Sequence, residues 1–484
     1  MFPNENIMSA DHGPSSGQAR NRYEEFLGSI SGPVNDNASC FAAAAQQVRL
    51  EMAPKSEREA EIVDVATGVA GPVLCSYVLW VLREAVQNGL ERLYFISRDG
   101  EILLKIAQIL LPAFWPGWKI ELRYLLGSRQ AWHLPSLAVA GQEPNDWLLF
   151  FFENSSLKSI FARVELTLDD CRDRLSVHGF SVKDWERKLI RAERNAVEKL
   201  VGDPILQERI RQRAQAAMKP VLGYLEQEGL MEKVPYGLVD LGWTGRTKGS
   251  LEKMLGLRGV PPPFFFFFGR NAEKSGEESS VLRTYLFNLR HGTGSDHYMP
   301  AIEALLEVFC TSLEDGLCGY QPQDDGGYGP VYRESNKREV EAWGYQIMRD
   351  SILRFSERLA TSDSQRTAPP TLSAEVSAAL LKIFWLAPTP AEARVWGEFP
   401  FEEDQQGTSY NRLVPPVKWG PGTLGRLLRN GRGFDQCAVW HGGIVATNPP
   451  WMGRCWMGIY HAHKTLYALK LKVSGGQRQW RSHS

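Results

Sequence analysis

Two segments about 140 residues apart share one pattern, an apolar run followed by a glycine-containing polar turn and an amphipathic stretch. They cover residues 93–110 and residues 236–255. In each, the apolar run predicts a buried strand, and the helical spacing of the later apolar residues predicts a helix. A further predicted strand at residues 121–126 continues the alternation of helix and strand, which is typical of a parallel sheet. The chain is therefore expected to be an α/β protein.

The turns between these strands and helices contain the residue types of anion-binding sites. A helix N-terminus that follows such a turn directs backbone N–H groups and the positive end of the helix dipole at one point, which suits a phosphate. Two turns that each carry an Asp and an Arg predict a ligand with two phosphate groups, although many strand-turn-helix junctions bind nothing. The candidate binding residues are Ser97, Arg98 and Gly100 in the first turn and Gly242, Thr244, Gly245, Arg246 and Thr247 in the second.

The second turn resembles the phosphoribosyl pyrophosphate (PRPP) loop of phosphoribosyltransferases. In that loop acidic residues hold the ribose hydroxyls, and a Thr-Gly-x-Thr turn, here Thr244-Gly245-Arg246-Thr247, holds the 5-phosphate. Asp240 falls on the second acid of the usual pair, and Val239 replaces the first. By the same resemblance, the first turn corresponds to the pyrophosphate loop.

A wider resemblance, over about residues 60–360, is to a family of proteins found with bacterial polysaccharide synthesis. It is carried by short segments: Gly71-Pro72, Tyr77-Val78-Leu79-Trp80, Phe95-Ile96-Ser97-Arg98-Asp99-Gly100, Tyr124-Leu125-Leu126-Gly127-Ser128-Arg129, Val239-Asp240-Leu241-Gly242-Trp243-Thr244-Gly245 and Ile302-Glu303-Ala304-Leu305-Leu306-Glu307. The resemblance implies a glycosyltransferase that uses PRPP to place a 5-phosphoribosyl unit on a glycan acceptor. It also implies Mg²⁺, held mainly by the donor pyrophosphate with Asp240 as a candidate ligand. A separate phosphatase and other polysaccharide-assembly enzymes are the implied partners.

The resemblance and the pattern of predicted elements together give a domain plan. We expect a parallel-sheet, phosphoribosyltransferase-like core with a helical insertion and an α-rich C-terminal region. The expected parts are a flexible tail (1–55), the first half of the core with the pyrophosphate loop (56–140), the helical insertion (141–230), the second half of the core with the PRPP loop and helices (231–365) and an accessory region (371–484).

Catalysis by this scheme needs cations at the departing pyrophosphate and a base for the attacking hydroxyl. Arg98 supplies one cation, and Ser128 and Arg129 follow directly after a predicted strand, where a sheet delivers residues to a site. The acidic candidates are Asp99, Asp240 and Glu303. Asp240 is favoured as a ribose or metal ligand, and the sequence leaves Asp99 and Glu303 as alternative bases. Each has a structural alternative: Asp99 as a helix N-cap, Arg129 as a surface residue and Glu303 as a complement to a helix dipole.

The second function class is a phosphatase of the haloacid dehalogenase type, because related chains carry such a domain. It would use Asp99 as nucleophile, but the second acid of the usual Asp-x-Asp motif is Glu101 here. A third class is a non-catalytic sugar-phosphate-binding module. The presence of Val239 in place of an acid favours this class, whereas the intact Thr244 and Thr247 argue against it.

Composition places the chain among ordinary globular proteins. It has 484 residues, 43% of them apolar, and a net charge of −1, so nothing points to a nucleic-acid partner. The apolar runs at residues 69–86 and 147–152 are too interrupted or too short to span a bilayer, which leaves at most peripheral membrane association. The seven cysteines lack zinc-site spacing. With no signal-peptide pattern, a cytoplasmic location is expected.

Overall fold

The computed structural model describes residues 19–30, 35–139, 148–149, 155–271, 281–299, 301–335, 337–362, 369–402, 410–415 and 440–458. Five parallel strands form one sheet: β1 (Arg92–Ile96), β2 (Glu121–Leu125), β3 (Tyr236–Trp243), β4 (Phe264–Arg270) and β5 (Leu282–Asn288). Their order is β2-β1-β3-β4-β5. β1 is thus flanked by β2 on one side and β3 on the other, and the strand order reverses between β1 and β3. The prediction of an α/β protein with a parallel sheet is confirmed.

Helices cover both faces of this sheet, and two small antiparallel hairpins lie outside it. The hairpins are β6 (Gly316–Pro322) with β7 (Tyr328–Arg333) and β8 (Pro400–Glu402) with β9 (Tyr410–Arg412). The helices are α1 (Arg22–Ser29), α2 (Asn35–Met52), α3 (Glu57–Val65), α4 (Gly71–Gln87), α5 (Asp99–Phe114), α6 (Arg129–Ser136), α7 (Leu157–Ala162), α8 (Leu168–Leu175), α9 (Arg194–Val201), α10 (Pro204–Gln227), α11 (Arg246–Gly256), α12 (Ile302–Phe309), α13 (Arg338–Trp343), α14 (Tyr345–Thr361), α15 (Ala374–Leu386), α16 (Pro390–Gly397) and α17 (His441–Thr447).

The phenylalanine run of β4 shows how the sheet separates two cores. Phe266 and Phe268 join a core formed with α4, α5, α14 and α15, whereas Phe265 and Phe267 join the opposite core beneath α6, α10 and α11. Side chains alternate between the faces of a strand, so a strand buried on both faces must be apolar throughout. Five consecutive phenylalanines predict such a strand, because their side chains would aggregate in water, and the structure confirms this prediction.

Residues 57–87 form one almost continuous helix that runs through the larger core. α3 and α4 are joined by a π-helical turn, Ala66–Ala70. A Cβ on Gly68 would lie 2.7 Å from Cβ of Tyr23, and one on Gly71 would lie 2.7 Å from Cγ of Phe355, so both glycines allow close packing. Among the described residues this is the only helix long and apolar enough to cross a bilayer, and 94% of its apolar window is buried inside the protein. Core helices meet the same criterion.

The helical insertion contributes α7, α8, α9 and the first half of α10. These helices form a separate cluster of buried side chains around Phe161, Leu200 and Ile210. The second half of α10, with Leu225, instead packs in the core of the sheet. The insertion is therefore fixed to the sheet by the helix that ends it.

Three parts of the domain plan need correction. The tail assignment is wrong for the described residues after Ala19, because α1 and α2 bury Tyr23, Leu27 and Phe41 in the larger core. α15 and α16 share that same core, so the region after residue 371 is not separate where it is described. In the second half of the core, helical spacing predicts a single helix over residues 340–359, but this helix is broken at Gly344, whose φ of 125° ends α13 before α14 begins. The plan's residues 1–18, 416–439 and 459–484 lie outside the described residues.

Candidate functional site

A cavity of about 500 Å³ lies where β1 and β3 end, at the point where the strand order reverses. In open α/β sheets this crevice at the carboxyl ends of the strands is where ligands bind. Its volume is in the range of sites for small molecules. Eleven of the thirteen predicted site residues line it: Ser97, Arg98, Asp99, Ser128, Arg129, Asp240, Gly242, Thr244, Arg246, Thr247 and Glu303. The two others, Gly100 and Gly245, lie beside lining residues.

The turn after β1 is sharp, and side chains from other parts of the chain hold it by hydrogen bonds. Arg98 has a φ of 65°, which is uncommon for a residue with a side chain. Its backbone N–H donates a 2.9 Å hydrogen bond to the hydroxyl of Tyr124, which in turn donates to Glu314 at 2.5 Å. Asp99 is the first residue of α5 and Arg98 is the N-cap, so the alternative in which Asp99 serves as the N-cap is wrong. A Cβ on Gly100 would lie 2.8 Å from the carbonyl carbon of Phe95, so this glycine lets α5 start close to β1.

The last two residues of β3 and the turn after it include three positions in the left-handed region. Gly242, Trp243 and Gly245 have φ values of 101°, 70° and 70°. A Cβ on Gly242 would lie 2.6 Å from Cγ of Phe267, so only glycine fits there without a shift. The chain then enters α11 at Arg246, and Gly245 is its N-cap.

The two predicted serines bond to the protein. Ser97 donates its hydroxyl to the carbonyl of Gly127 at 2.8 Å and accepts from the Gly127 N–H at 3.0 Å. Ser128 donates to the carbonyl of Leu317 at 2.8 Å and accepts from the N–H of Ala131 at 2.9 Å, which makes it the N-cap of α6. These hydroxyls therefore join the turns after β1 and β2 and the β6–β7 hairpin.

Four helix N-termini converge on the cavity, those of α5, α6, α11 and α12. The N-caps of α5, α11 and α12 are Arg98, Gly245 and Ala301, and none of these three makes a side-chain capping bond. Because the first N–H groups of a helix have no partner inside the helix, uncapped ends can bind anions. The cavity thus has the features of a site for a ligand with several negative charges.

Three acidic side chains interact inside this cavity. Burial raises the pKa of Asp99 to about 8, and the carboxyl groups of Glu307 and Asp240 add to the rise. Arg98 and Arg129 oppose it. Burial also raises the pKa of Asp240 to about 6 and raises that of Glu307, and Arg129 opposes both shifts. Neighbouring buried carboxyl groups cannot all ionise at ordinary pH, so the cluster retains a proton near neutral pH.

Glu307 was not among the sequence candidates, although it belongs to the same helix as Glu303. Its Oε1 lies 4.0 Å from Nη2 of Arg129. Glu303 instead accepts a 2.5 Å hydrogen bond from the side-chain amide of Asn271, the residue that follows β4. A signal was present in the sequence, since two acids four residues apart on an otherwise apolar helix must share one face.

The remaining side chains on the cavity wall come from distant parts of the chain. Arg163 belongs to the helical insertion, and Lys337 precedes α13. Arg333 is the last residue of β7, and its guanidinium donates a 2.6 Å hydrogen bond to the side-chain oxygen of Gln130. His133 on α6 faces Ser250 at 2.8 Å, and burial lowers its pKa to about 3, so the ring is neutral. No local motif marks these residues, because only the tertiary fold brings them to the cavity.

The site offers oxygen ligands rather than a preformed metal cage. In the part of the chain that the structure describes, no group of three or more His, Cys, Asp or Glu side chains is arranged to hold a metal ion. Mg²⁺ commonly binds one or two carboxylates together with substrate phosphates. Asp240, in the second half of β3 and on the cavity wall, fits that mode of binding.

The fold and the cavity define an α/β protein with a cavity at the topological switch point, lined by two strand-turn-helix junctions. Comparison with known proteins finds no match to this chain among protein-family models or curated proteins. Because one fold supports many functions, the function has to be argued from the site.

Proposed function

We propose that the protein is a PRPP-dependent glycosyltransferase of bacterial surface polysaccharide synthesis. In this proposal it transfers a 5-phosphoribosyl unit from PRPP to a hydroxyl of a glycan acceptor. The observation that carries the proposal is the convergence of two strand-turn-helix junctions, after β1 and β3, on one cavity that Asp240 also lines. These strands are neighbours, and adjacent strands lie about 4.8 Å apart. Such spacing suits one ligand that carries a monoester phosphate and a diphosphate.

The turn after β3 would hold the ribose 5-phosphate. Thr244, Arg246 and Thr247 line the cavity there, and the N-terminus of α11 has no side-chain cap. Asp240, the residue before this turn, would accept hydrogen bonds from ribose hydroxyls. Val239, which stands in place of the other acid of a PRPP loop, is fully buried in the core. The second ribose hydroxyl would therefore need a different partner.

The turn after β1 would hold the pyrophosphate that leaves. Cleavage of the bond from the anomeric carbon to pyrophosphate places negative charge on the leaving oxygen. Arg98, Arg129 and the N–H groups at the start of α5 would stabilise that charge, which is the main source of catalysis in such reactions. Mg²⁺, held by the pyrophosphate and Asp240, would supply further charge neutralisation when bound. The acidic cluster would stabilise the cationic sugar centre.

One observation separates this proposal from the phosphatase alternative. A phosphatase of the haloacid dehalogenase type needs a second acid two residues after its nucleophile, at Glu101 here. Glu101 does not line the cavity and accepts a 2.6 Å hydrogen bond from Arg349. A residue held in that ion pair is not placed to act as an acid at the site. The 5-phosphate would instead be removed by a separate phosphatase. We propose that the transferase reaction takes place in the cytoplasm.

The proposal is tested by isothermal titration of the chain with PRPP and Mg²⁺. We expect binding by the wild type and at least tenfold weaker binding by Asp240→Asn and Thr244→Ala, which corresponds to ~1.4 kcal/mol or more for each. Thr361→Ala, an exposed position at the end of α14, is the matched control and should bind as the wild type does. Absence of PRPP binding by the folded wild type would refute the proposal.

A further inference from the structure

One face of α12 points two carboxyl groups at the cavity. Glu303, Ala304, Glu307 and Thr311 line the cavity at helical spacing, and the rest of the helix is buried in the larger core. The following inference rests on the proposed transferase function, which leaves the base for the acceptor hydroxyl unassigned.

Three of the four acids that line the cavity are engaged by another side chain or lie in a turn already assigned to the donor, so they are not placed to act as the base for the acceptor. Glu303 is held by the Asn271 amide at 2.5 Å, which ties the start of α12 to the end of β4. Asp99 is the first residue of α5, within the turn assigned to the leaving pyrophosphate. Asp240 lies at the turn assigned to the ribose. In an in-line displacement the base must lie on the acceptor side, away from the leaving group.

Glu307 meets these requirements. It comes from neither phosphate turn, and 31% of its side-chain surface is accessible within the cavity. The 4.0 Å separation from Arg129 is too long for a hydrogen bond, so the carboxylate is oriented without being tied to that guanidinium.

We propose that Glu307 is the general base that activates the acceptor. Its carboxylate takes the proton from the attacking hydroxyl while the oxygen forms a bond to the anomeric carbon. The bond from that carbon to pyrophosphate breaks, and its electron pair leaves with the pyrophosphate. The proton thus ends on Glu307, the negative charge ends on pyrophosphate, and no further reactant is needed.

Water and azide serve as probes in place of the acceptor glycan. Water must lose a proton to attack, whereas azide is already an anion and needs no base. With water, Glu307→Gln should release pyrophosphate from PRPP at least about 100-fold more slowly than the wild type, a typical contribution of a general base. With azide the difference should largely disappear, and mass spectrometry should detect 5-phosphoribosyl azide. PRPP affinity, measured by titration, should be unchanged, and Glu357→Gln on the exposed face of α14 is the matched control.

The outcomes separate the two proposals. If the wild type and Glu307→Gln both bind PRPP and release pyrophosphate at equal rates in water, the role of Glu307 is overturned while the donor site stands. If Glu303→Gln shows the azide-rescued loss instead, the base is Glu303 and the inference is wrong. If the folded wild type does not bind PRPP, the transferase function fails, and the role of Glu307 fails with it.

Discussion

Gly242 offers the sharpest test of the turn that ends β3. Replacing it with alanine puts a Cβ at 2.6 Å from Cγ of Phe267 and 2.7 Å from the carbonyl oxygen of Gly269. The second neighbour is backbone and cannot rotate away. The φ of 101° is also unfavourable for any residue with a side chain. Strain at such a dihedral is ~1–3 kcal/mol, and overpacking adds ~1–3 kcal/mol. Gly242→Ala should therefore lower the free energy of unfolding by ~2–6 kcal/mol.

Gly249 is the matched control, since it lies inside α11 only seven residues later. A Cβ there would meet nothing within 4 Å. Alanine is favoured over glycine inside a helix by ~0.5–1 kcal/mol. Gly249→Ala should therefore stabilise the protein, so the same chemical change should have opposite effects at the two positions.

Thermal melts followed by tryptophan fluorescence would measure both effects. For a 484-residue chain that unfolds as one unit, an unfolding entropy of ~2.1 cal/mol/K per residue makes 1 kcal/mol equivalent to a shift of roughly 1 °C. Gly242→Ala should melt roughly 2–6 °C below the wild type, and Gly249→Ala up to roughly 1 °C above it. A Gly242→Ala protein that melts at or above the wild-type temperature would show that the turn is not left-handed and closely packed at this residue.

Two further predictions concern buried polar groups. The Tyr77 hydroxyl lies 2.8 Å from the carbonyl of Asp240 and 2.9 Å from that of Phe266, so Tyr77→Phe should destabilise by ~1–3 kcal/mol in urea unfolding. The same change at exposed Tyr332 should have little effect, and equal stabilities of the two variants would contradict the bridging role. Burial, followed by neighbouring carboxyl groups, raises the pKa of Glu61 from 4.5 to about 7. The folded state therefore binds the proton of the Glu61 carboxyl more tightly than the unfolded state does. The stability contributed by the protonated carboxyl is fully present below pH 4.5 and is lost as the pH rises through 7. Glu61→Gln should then gain ~1–2 kcal/mol over the wild type at pH 8, after allowance for partial exposure, and little at pH 4.5. A gain that is the same at both pH values would contradict this assignment.

The local sequence pattern was enough to predict those helices and strands whose apolar residues recur at a regular helical or strand spacing. The strands that contain Phe95 and Phe266 and the helix that starts at Asp99 follow from apolar spacing and turn residues, since strand and helix periods differ. The β6–β7 hairpin was not predicted, because its burial is irregular and it packs against α6 and α10 rather than into the sheet. The buried α1 was not predicted either, because its polar sequence gives only Tyr23 and Leu27 as core contacts.

The sequence by itself determined the individual strands and helices on either side of the two turns, the turns and the residues that each turn carries. Those features depend on contacts within about 20 residues, where spacing and backbone preference decide the outcome. Only the tertiary structure decided that the turns share one cavity, because strand order is set by packing between distant elements. It also brought Glu307 to Asp99 and Arg129, and it raised the pKa values of Asp99 and Asp240 by excluding water from their surroundings. Charge interactions of this kind depend on burial and distance in three dimensions, which residue order alone does not specify.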